Sequence, residues 1–496
     1  MNQFLDALTN ATNFTHTENG ALAHKSTKSM LLDMFAMGAS YRTRTDADVI
    51  LLFKNAYDEN PEYALKCLFW IRDIRGGAGE RRFFRTCYHW LAKAHTEAAQ
   101  RNMKYIAEYG RWDDLYCLMG TPLEQNMLLL LKKQFMLDLT CQTPSLLAKW
   151  LPSCNASSKV TIANGNKTRK AFGLTQKEYR KALSVLRKRT NVLERLMSAN
   201  EWDKIKFDEI PSKAGIQYKN AFARRDIIKA KYEKFAKDEN TKVNAAALYP
   251  YEVVEKALKV GRYNATDRAM INKYWKNLPD WLKDADFNAL CVCDTSGSMM
   301  GQPINVAISL SLYCAERAKG PFANHYISFA SRPQLIKCEG VDFVDKVERI
   351  YRTNLIDNTN IEAVFDLLLD TAKRNQCSQE DLPQRILIIS DMEVDAARGI
   401  GRNYNYNTGR WEFHENIPME TLMESIRRKW AAAGYQLPSL VYWNVNARNN
   451  TILDDNSDVS YISGFSPSIF KNLITGKTNY DLMLEVLDSE RYAVIH

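Results

Sequence analysis

The chain has 496 residues, 46% hydrophobic and 11% aromatic, which excludes a disordered protein and predicts more than one core. No apolar run approaches the roughly 18 residues of a membrane helix, and Met127–Leu131 is stopped by Lys132 and Lys133, so no membrane partner is expected. The net charge of +9 is unevenly spread: residues 1–280 hold 46 Lys and Arg against 30 Asp and Glu, and residues 281–496 hold 21 against 28. A basic half of this kind points to an anionic partner, nucleic acid first and membrane surface second. Met1–Asp6 has neither the basic region nor the apolar core of a secretory signal. The ten cysteines form no C-x-x-C pair, so a reducing, cytoplasmic setting is expected.

From the start to about residue 280 only helices are predicted: Asp46–Tyr57, Pro61–Asp73, Glu80–His95, Arg101–Tyr109, Glu124–Asp138, Lys177–Met197, Asn220–Lys237 and Pro250–Lys259. Apolar residues recur at spacings of three and four, as in Ala64, Leu65, Leu68 and Phe69, the signature of a half-buried helix. Short glycine-containing connectors, Gly76–Gly79 and Gly110–Asp114, suit antiparallel helix pairs, and the whole predicts an all-α helical-repeat array of the HEAT kind, although no fixed period stands out. Gly76–Gly79 is not a phosphate loop, because no strand precedes it and no Gly-Lys-Ser/Thr follows. Arg72, Asp73, Arg75, Glu80 and Arg81 are expected to fix the angle between two helices, and Trp112, Asp113 and Asp114 to cap one.

After Asp280 the texture changes. Strand candidates Phe287–Cys293, Tyr326–Ala330, Arg385–Ser390, Ser439–Asn444 and Val459–Ser463 alternate with helices Pro303–Lys319, Ile361–Lys373, Met419–Ala433 and Tyr480–Leu487. Such alternation predicts a mostly parallel, doubly wound α/β sheet. Ala397–Glu415 is expected to be a long surface insertion. The expected organisation is therefore multidomain, a helical region 1–280 followed by an α/β domain 281–496.

The strand Phe287–Cys293 ends in Asp294-Thr295-Ser296-Gly297-Ser298. One carboxylate and two hydroxyls on alternate residues are hard oxygen ligands of the kind magnesium takes. Asp294-x-Ser296-x-Ser298 resembles the metal-ion-dependent adhesion site (MIDAS) of a von Willebrand factor A (vWA) domain. Thr359, in Asp357–Asn360, and Asp391, at the end of Arg385–Ser390, are similar to that family's later threonine and aspartate, although Gly-Gly-Thr is the commoner form at the first. The resemblance implies a Rossmann-like fold and Mg2+ or another divalent cation held by Asp294, Ser296, Ser298, Thr359 and Asp391, with Asp391 bound through water. It also implies an open position that captures an acidic residue of a protein partner. No base stands beside the motif to make it catalytic. Glu393 and Asp395 are the nearby carboxylates, and a non-enzymatic role is expected.

Further segments carry a second resemblance. Leu68–Arg81, with its Arg-Asp, Arg-Gly-Gly and Gly-Glu-Arg pieces, and Tyr109–Leu115 resemble the Ro autoantigen family, whose RNA-binding part is the TROVE module. Ile210–Ser212 and Leu248–Tyr251 resemble later marks of that module, so the likeness runs along nearly the whole chain. It is closest to a TROVE-like, vWA-containing branch found in viruses, plants and microbes. In that family, helical repeats close into a ring that binds single-stranded RNA ends in its hole and structured RNA on its rim.

Residues 141–190 hold eleven Lys and Arg against one acid, Glu178. Lys167, Arg169, Lys170, Arg180, Lys181, Arg187, Lys188 and Arg189 are the candidate RNA contacts, because Lys and Arg supply most sequence-independent affinity for phosphates. Phe172, Tyr179 and Trp150 could stack on bases or pack inside. The expected function is an RNA-binding ribonucleoprotein component whose vWA domain recruits a partner through magnesium. The alternative is a metal-dependent assembly or adhesion module, of a virus-associated kind, without a specific RNA ligand.

Overall fold

The computed structural model describes residues 13–190, 193–246, 248–260, 264–283, 288–329, 332–353, 360–395, 402–405, 410–413, 421–454, 456, 459–470 and 479–496. The described chain is helical from Met30 to Lys276 and built around a six-stranded sheet beyond Ala289. One continuous apolar core runs through both parts.

The start of the chain departs from the all-helical expectation. Strands β1 (Phe14–His16) and β2 (Leu22–His24) form an antiparallel hairpin. Three-residue strands are too short to show a period of two, but their turn carries a signal in Asn19-Gly20, where Gly20 takes φ +90° at no steric penalty. The hairpin pairs forward in the chain, with His24 and Ile452 exchanging backbone hydrogen bonds of 2.8 and 2.9 Å.

Helices begin where the caps dictate. Thr45 and Asp48 form a capping box ahead of Asp46–Glu59, and Asn60 with Pro61 opens Pro61–Arg72. The predicted Lys177–Met197 is two helices, Gln176–Arg189 and Leu193–Ser198. Asn220–Lys237 is also two, Ser212–Arg224 and Asp226–Lys237, broken where Arg225 is extended. Apolar spacing continues across both breaks, so periodicity alone does not reveal them. Arg101–Tyr109 divides into the end of Thr96–Asn102, a 3-10 turn and Ile106–Tyr109. Lys159–Phe172, Ala265–Lys276 and Phe343–Thr353 are helices that the pattern did not single out.

The glycine-rich turn between Pro61–Arg72 and Arg81–Ala94 is a structural junction. Arg72 is buried and gives Asp114 Oδ2 two hydrogen bonds of 2.9 and 2.6 Å. Arg85 takes Asp114 Oδ1 at 2.6 Å, and Arg75 reaches the Glu108 carbonyl at 2.6 Å. Asp73 is fully buried and receives Arg491 Nη2 at 2.7 Å and the Tyr492 hydroxyl at 3.0 Å, which ties the last residues of the chain to this turn. A Cβ on Gly77 would stand 2.0 Å from the Trp70 carbonyl oxygen. Gly77→Ala therefore forces the backbone apart and is expected to destabilise the fold by about 1–3 kcal/mol, read as a lower urea midpoint.

The main sheet has the order β10-β9-β6-β3-β4-β5, where β3 is Ala289–Asp294, β4 is His325–Phe329, β5 is Gln334–Lys337, β6 is Arg385–Ser390, β9 is Ser439–Asn444 and β10 is Ser460–Ser463. All its pairings are parallel except β4 with β5. The edge strand β5 is mostly exposed, which explains why hydrophobic runs missed it. A separate antiparallel pair, β7 (Arg402–Asn405) and β8 (Arg410–Phe413), lies within the segment expected to be a loop. From β3 the chain moves outward through β4 and β5, then crosses back to β6 and outward again through β9 and β10. The switch point falls between β3 and β6, the place where ligands bind in such sheets.

Candidate functional site

Strand β3 is buried along its whole length and delivers Asp294 at its carboxyl end. β6, hydrogen-bonded beside it, ends in Ser390 and is followed by Asp391. Asp294 and Asp391 are 0% and 1% exposed. Asp294 Oδ1 accepts the Ser296 N–H at 2.9 Å, and Oδ2 accepts the Ser390 hydroxyl at 2.5 Å. The Ser296 and Ser298 hydroxyls are 3.0 Å apart, and the Ser298 hydroxyl is close enough to the Asp391 carboxylate to favour its charged form. Four of the five candidate ligands, Asp294, Ser296, Ser298 and Asp391, thus converge at the switch point. Thr359 lies outside the described residues.

The electrostatics are those of two buried carboxylates side by side. Burial, reinforced by the neighbouring Asp391, pushes the Asp294 carboxyl up to about 7, and burial raises Asp391 as well. No ion pair reaches Asp294 among the described residues. A buried carboxylate without a cation is expensive, which favours either its protonation or a bound positive charge. The donor set of two carboxylates and two hydroxyls fits a hard divalent ion. Among the described residues no cluster of three or more His, Cys, Asp and Glu could hold a metal, so the serine oxygens are essential to this fit. Met392, buried beside Asp391, adopts φ +67°, an uncommon conformation for a residue with a side chain.

Arg448, Asn449 and Glu18, which sequence reasoning did not place, complete the surroundings together with Glu393, which it did. Arg448, beyond β9, donates to Asp391 Oδ2 at 3.2 Å and pairs with Glu18 at 2.7 Å. Asn449 reaches Glu393 Oε1 at 3.1 Å. Glu393 is fully buried, accepts the Glu18 N–H at 2.6 Å, and is raised by burial. It is an acceptor for the hairpin backbone. Separations of 57 and 56 residues for the Arg448 and Asn449 contacts, and of 375 for the Glu18 N–H, hide them; only the Asn19-Gly20 turn hints that the hairpin exists.

The basic segment forms the second candidate surface. Phe172 and Tyr179 are buried and pack with Phe135, so they are core residues and not stacking platforms. Trp150 is half-buried beneath the Arg111 guanidinium, 4.1 Å away. Arg187 caps the Ala148 carbonyl at 2.8 Å and Arg189 the Leu139 carbonyl at 2.8 Å. Lys167 pairs with Glu124 at 2.8 Å, and Arg169 with Asn166 at 2.9 Å. Lys170, Lys177, Arg180, Lys181 and Lys188 are exposed and make no ion pair among the described residues. Arg180, Ser184 and Lys188, four residues apart on one helix face, line a groove of about 570 Å³ with Ser153, Asn155 and Arg195. Glu194 is the carboxylate in its wall, and Glu178 is engaged in capping Thr175.

Fold and site together define a helical region with exposed cations that make no ion pair among the described residues, joined to an α/β sheet with a cluster of carboxylate and hydroxyl oxygens at its switch point. The family model described as Domain of unknown function (DUF2828) matches residues 17–145 and 140–286, more than half of the chain, and the chain belongs to that family. The model described as Domain of unknown function (DUF7788) matches residues 288–491. An uncharacterized protein of Acanthamoeba polyphaga mimivirus is 28% identical over 524 residues, covering 96% of this chain and 87% of the relative. The crystal structure of the Deinococcus radiodurans Ro (RSR) protein is similar at 12% identity and a TM-score of 0.35, covering 94% of this chain and 100% of that one. A score that low does not define a common fold. No helix among the described residues is long and apolar enough to cross a membrane.

Proposed function

We propose that the chain is a cytoplasmic, non-enzymatic RNA-binding protein of the TROVE and vWA kind. Residues 1–280 form a HEAT-like helical-repeat domain that binds RNA, and residues 281–496 form a vWA domain that recruits an acidic protein partner through Mg2+. The observation that carries the RNA half is the run of exposed cations that make no ion pair among the described residues, Lys170, Lys177, Arg180, Lys181 and Lys188, of which Arg180 and Lys188 line an open groove. Cations left without carboxylates suit the phosphates of a nucleic acid. The motif resemblance at Leu68–Arg81 and Tyr109–Leu115 supports the same reading. For the second half, Asp294, Ser296, Ser298 and Asp391 would hold the ion, with Thr359 as the fifth ligand implied by the motif. When bound, the ion supplies a positive centre for an outside carboxylate.

The test is anisotropy of a 3′-tailed structured RNA with nuclease-treated protein. Charge reversal of Arg180, Lys181 and Lys188 to Glu is expected to weaken binding at least tenfold and to flatten its salt dependence. Reversal of Arg187 or Arg189 is unsuitable, because each holds backbone carbonyls and its loss disturbs the fold. Equal affinity of the triple variant and the wild type would refute the groove as the RNA surface. Absence of RNA binding even at low salt would favour a metal-dependent assembly module.

A further inference from the structure

Resting on the reading of the Asp294 pocket as a cation site for an acidic partner, we propose that the chain supplies its own carboxylate there. Glu18, at the tip of the β1–β2 hairpin, closes the site in cis, and the hairpin must lift before an outside acidic group can bind.

The hairpin tip is latched onto the segment that carries Asp391. The Thr17 hydroxyl donates to the Val394 carbonyl at 2.6 Å, the Glu18 N–H to Glu393 Oε2 at 2.6 Å, and Asn19 Nδ2 to the Glu393 carbonyl at 2.6 Å. Gly20 forms a backbone bridge with Asp395. These contacts join residues 17–20 to residues 393–395 in register, from the opposite end of the chain. They leave the Glu18 carboxylate beside Asp391, accepting from Asn449 Nδ2 at 3.3 Å and sharing one guanidinium with that aspartate: Arg448 Nη1 pairs with Glu18 at 2.7 Å and Nη2 with Asp391 at 3.2 Å. The Glu18 side chain is 42% exposed, so the structural core does not require its charge. The backbone latch would position a strap with any side chain at position 18, yet a carboxylate stands there, beside a pocket whose expected outside ligand is a carboxylate. Arg448 makes the arrangement exchangeable, because an incoming acidic group offers it the same pairing that Glu18 does.

Closure in cis lowers the apparent affinity for an outside ligand in proportion to the fraction of open chains. A strap closed in about nine chains of ten weakens that affinity about tenfold. The experiment uses the full chain and an oligoglutamate peptide, followed by anisotropy in Mg2+ and in EDTA, with hydrogen exchange read at residues 13–24. Glu18→Gln is expected to bind the peptide in Mg2+ about tenfold more tightly than wild type. Asn19→Ala, which loosens the latch and keeps the charge, is expected to act in the same direction more weakly. Peptide binding to wild type is expected to speed exchange across the hairpin. Equal Mg2+-dependent affinity of wild type, Glu18→Gln and Asn19→Ala, with unchanged hairpin exchange, would overturn the strap and leave the cation-site reading standing. Failure of every variant to bind the peptide in Mg2+ would overturn that reading, and the strap with it.

Discussion

Asp114→Ala is expected to destabilise the chain by about 3–5 kcal/mol, the usual consequence of leaving a buried charge without its partner. Arg72 is 2% exposed, and both of its hydrogen bonds to side chains go to Asp114 Oδ2. Alanine at 114 strands that guanidinium and removes one of the two carboxylates of Arg85, whose Nε lies 2.6 Å from the other Asp114 oxygen and whose Nη2 keeps Asp113 at 2.9 Å. Asp114 further accepts the Arg111 N–H at 2.8 Å, opening the turn Trp112–Leu118. Asp114→Asn keeps acceptor capacity and shape but loses the charge, so a smaller loss is expected. Urea unfolding at neutral pH separates the two. A loss below about 1 kcal/mol for the alanine variant would show that water replaces the carboxylate, as it does for exposed pairs.

In EDTA, stability is expected to fall as pH rises from about 4 to about 7. Burial, with Asp391 alongside, raises the folded Asp294 carboxyl to about 7, whereas an unfolded aspartate titrates near 3.9. Between those values the folded state binds the extra proton, so stability is fully present below the lower value and is lost as pH climbs through the upper one. The slope is at most about 1.4 kcal/mol per pH unit for one such group, and the raised Asp391 adds to it in the same direction. Saturating Mg2+ is expected to raise the unfolding midpoint at pH 7 and to flatten the dependence, because the ion compensates both carboxylates. Asp294→Asn should flatten the profile in EDTA and abolish the gain from Mg2+. Thermal melts across pH, with and without Mg2+, read both effects. A wild-type midpoint that does not respond to Mg2+ would count against the cation site.

The parts of this protein that were legible in its sequence are those that local chemistry dictates. β6 and β9 stand at their predicted bounds because buried parallel strands are unbroken apolar runs. Asp294, Ser296 and Ser298 were readable because polar residues interrupt such a run abruptly, and Asp391 because it follows another. The surroundings of the site were not readable. Glu18 reaches it from the far end of the chain and Arg448 from 57 residues away, and nothing local in Asn446–Asn450 marks Arg448 as a partner for Asp391. The basic cluster shows a different limit. Composition locates eight candidate RNA contacts in one region, yet only the structure separates the exposed cations Lys170, Arg180, Lys181 and Lys188 from Lys167, Arg169, Arg187 and Arg189, which are engaged with protein groups.

The most direct test of the account is the affinity of the intact, nuclease-treated chain for a 3′-tailed RNA, measured by anisotropy across a salt series. Five available cations predict that the logarithm of the binding constant falls with the logarithm of salt at a slope of about −3 to −4. That slope is expected to be the same for unrelated RNA sequences. No binding at low salt, or a binding constant indifferent to salt, would contradict the claim that this basic surface exists to hold RNA.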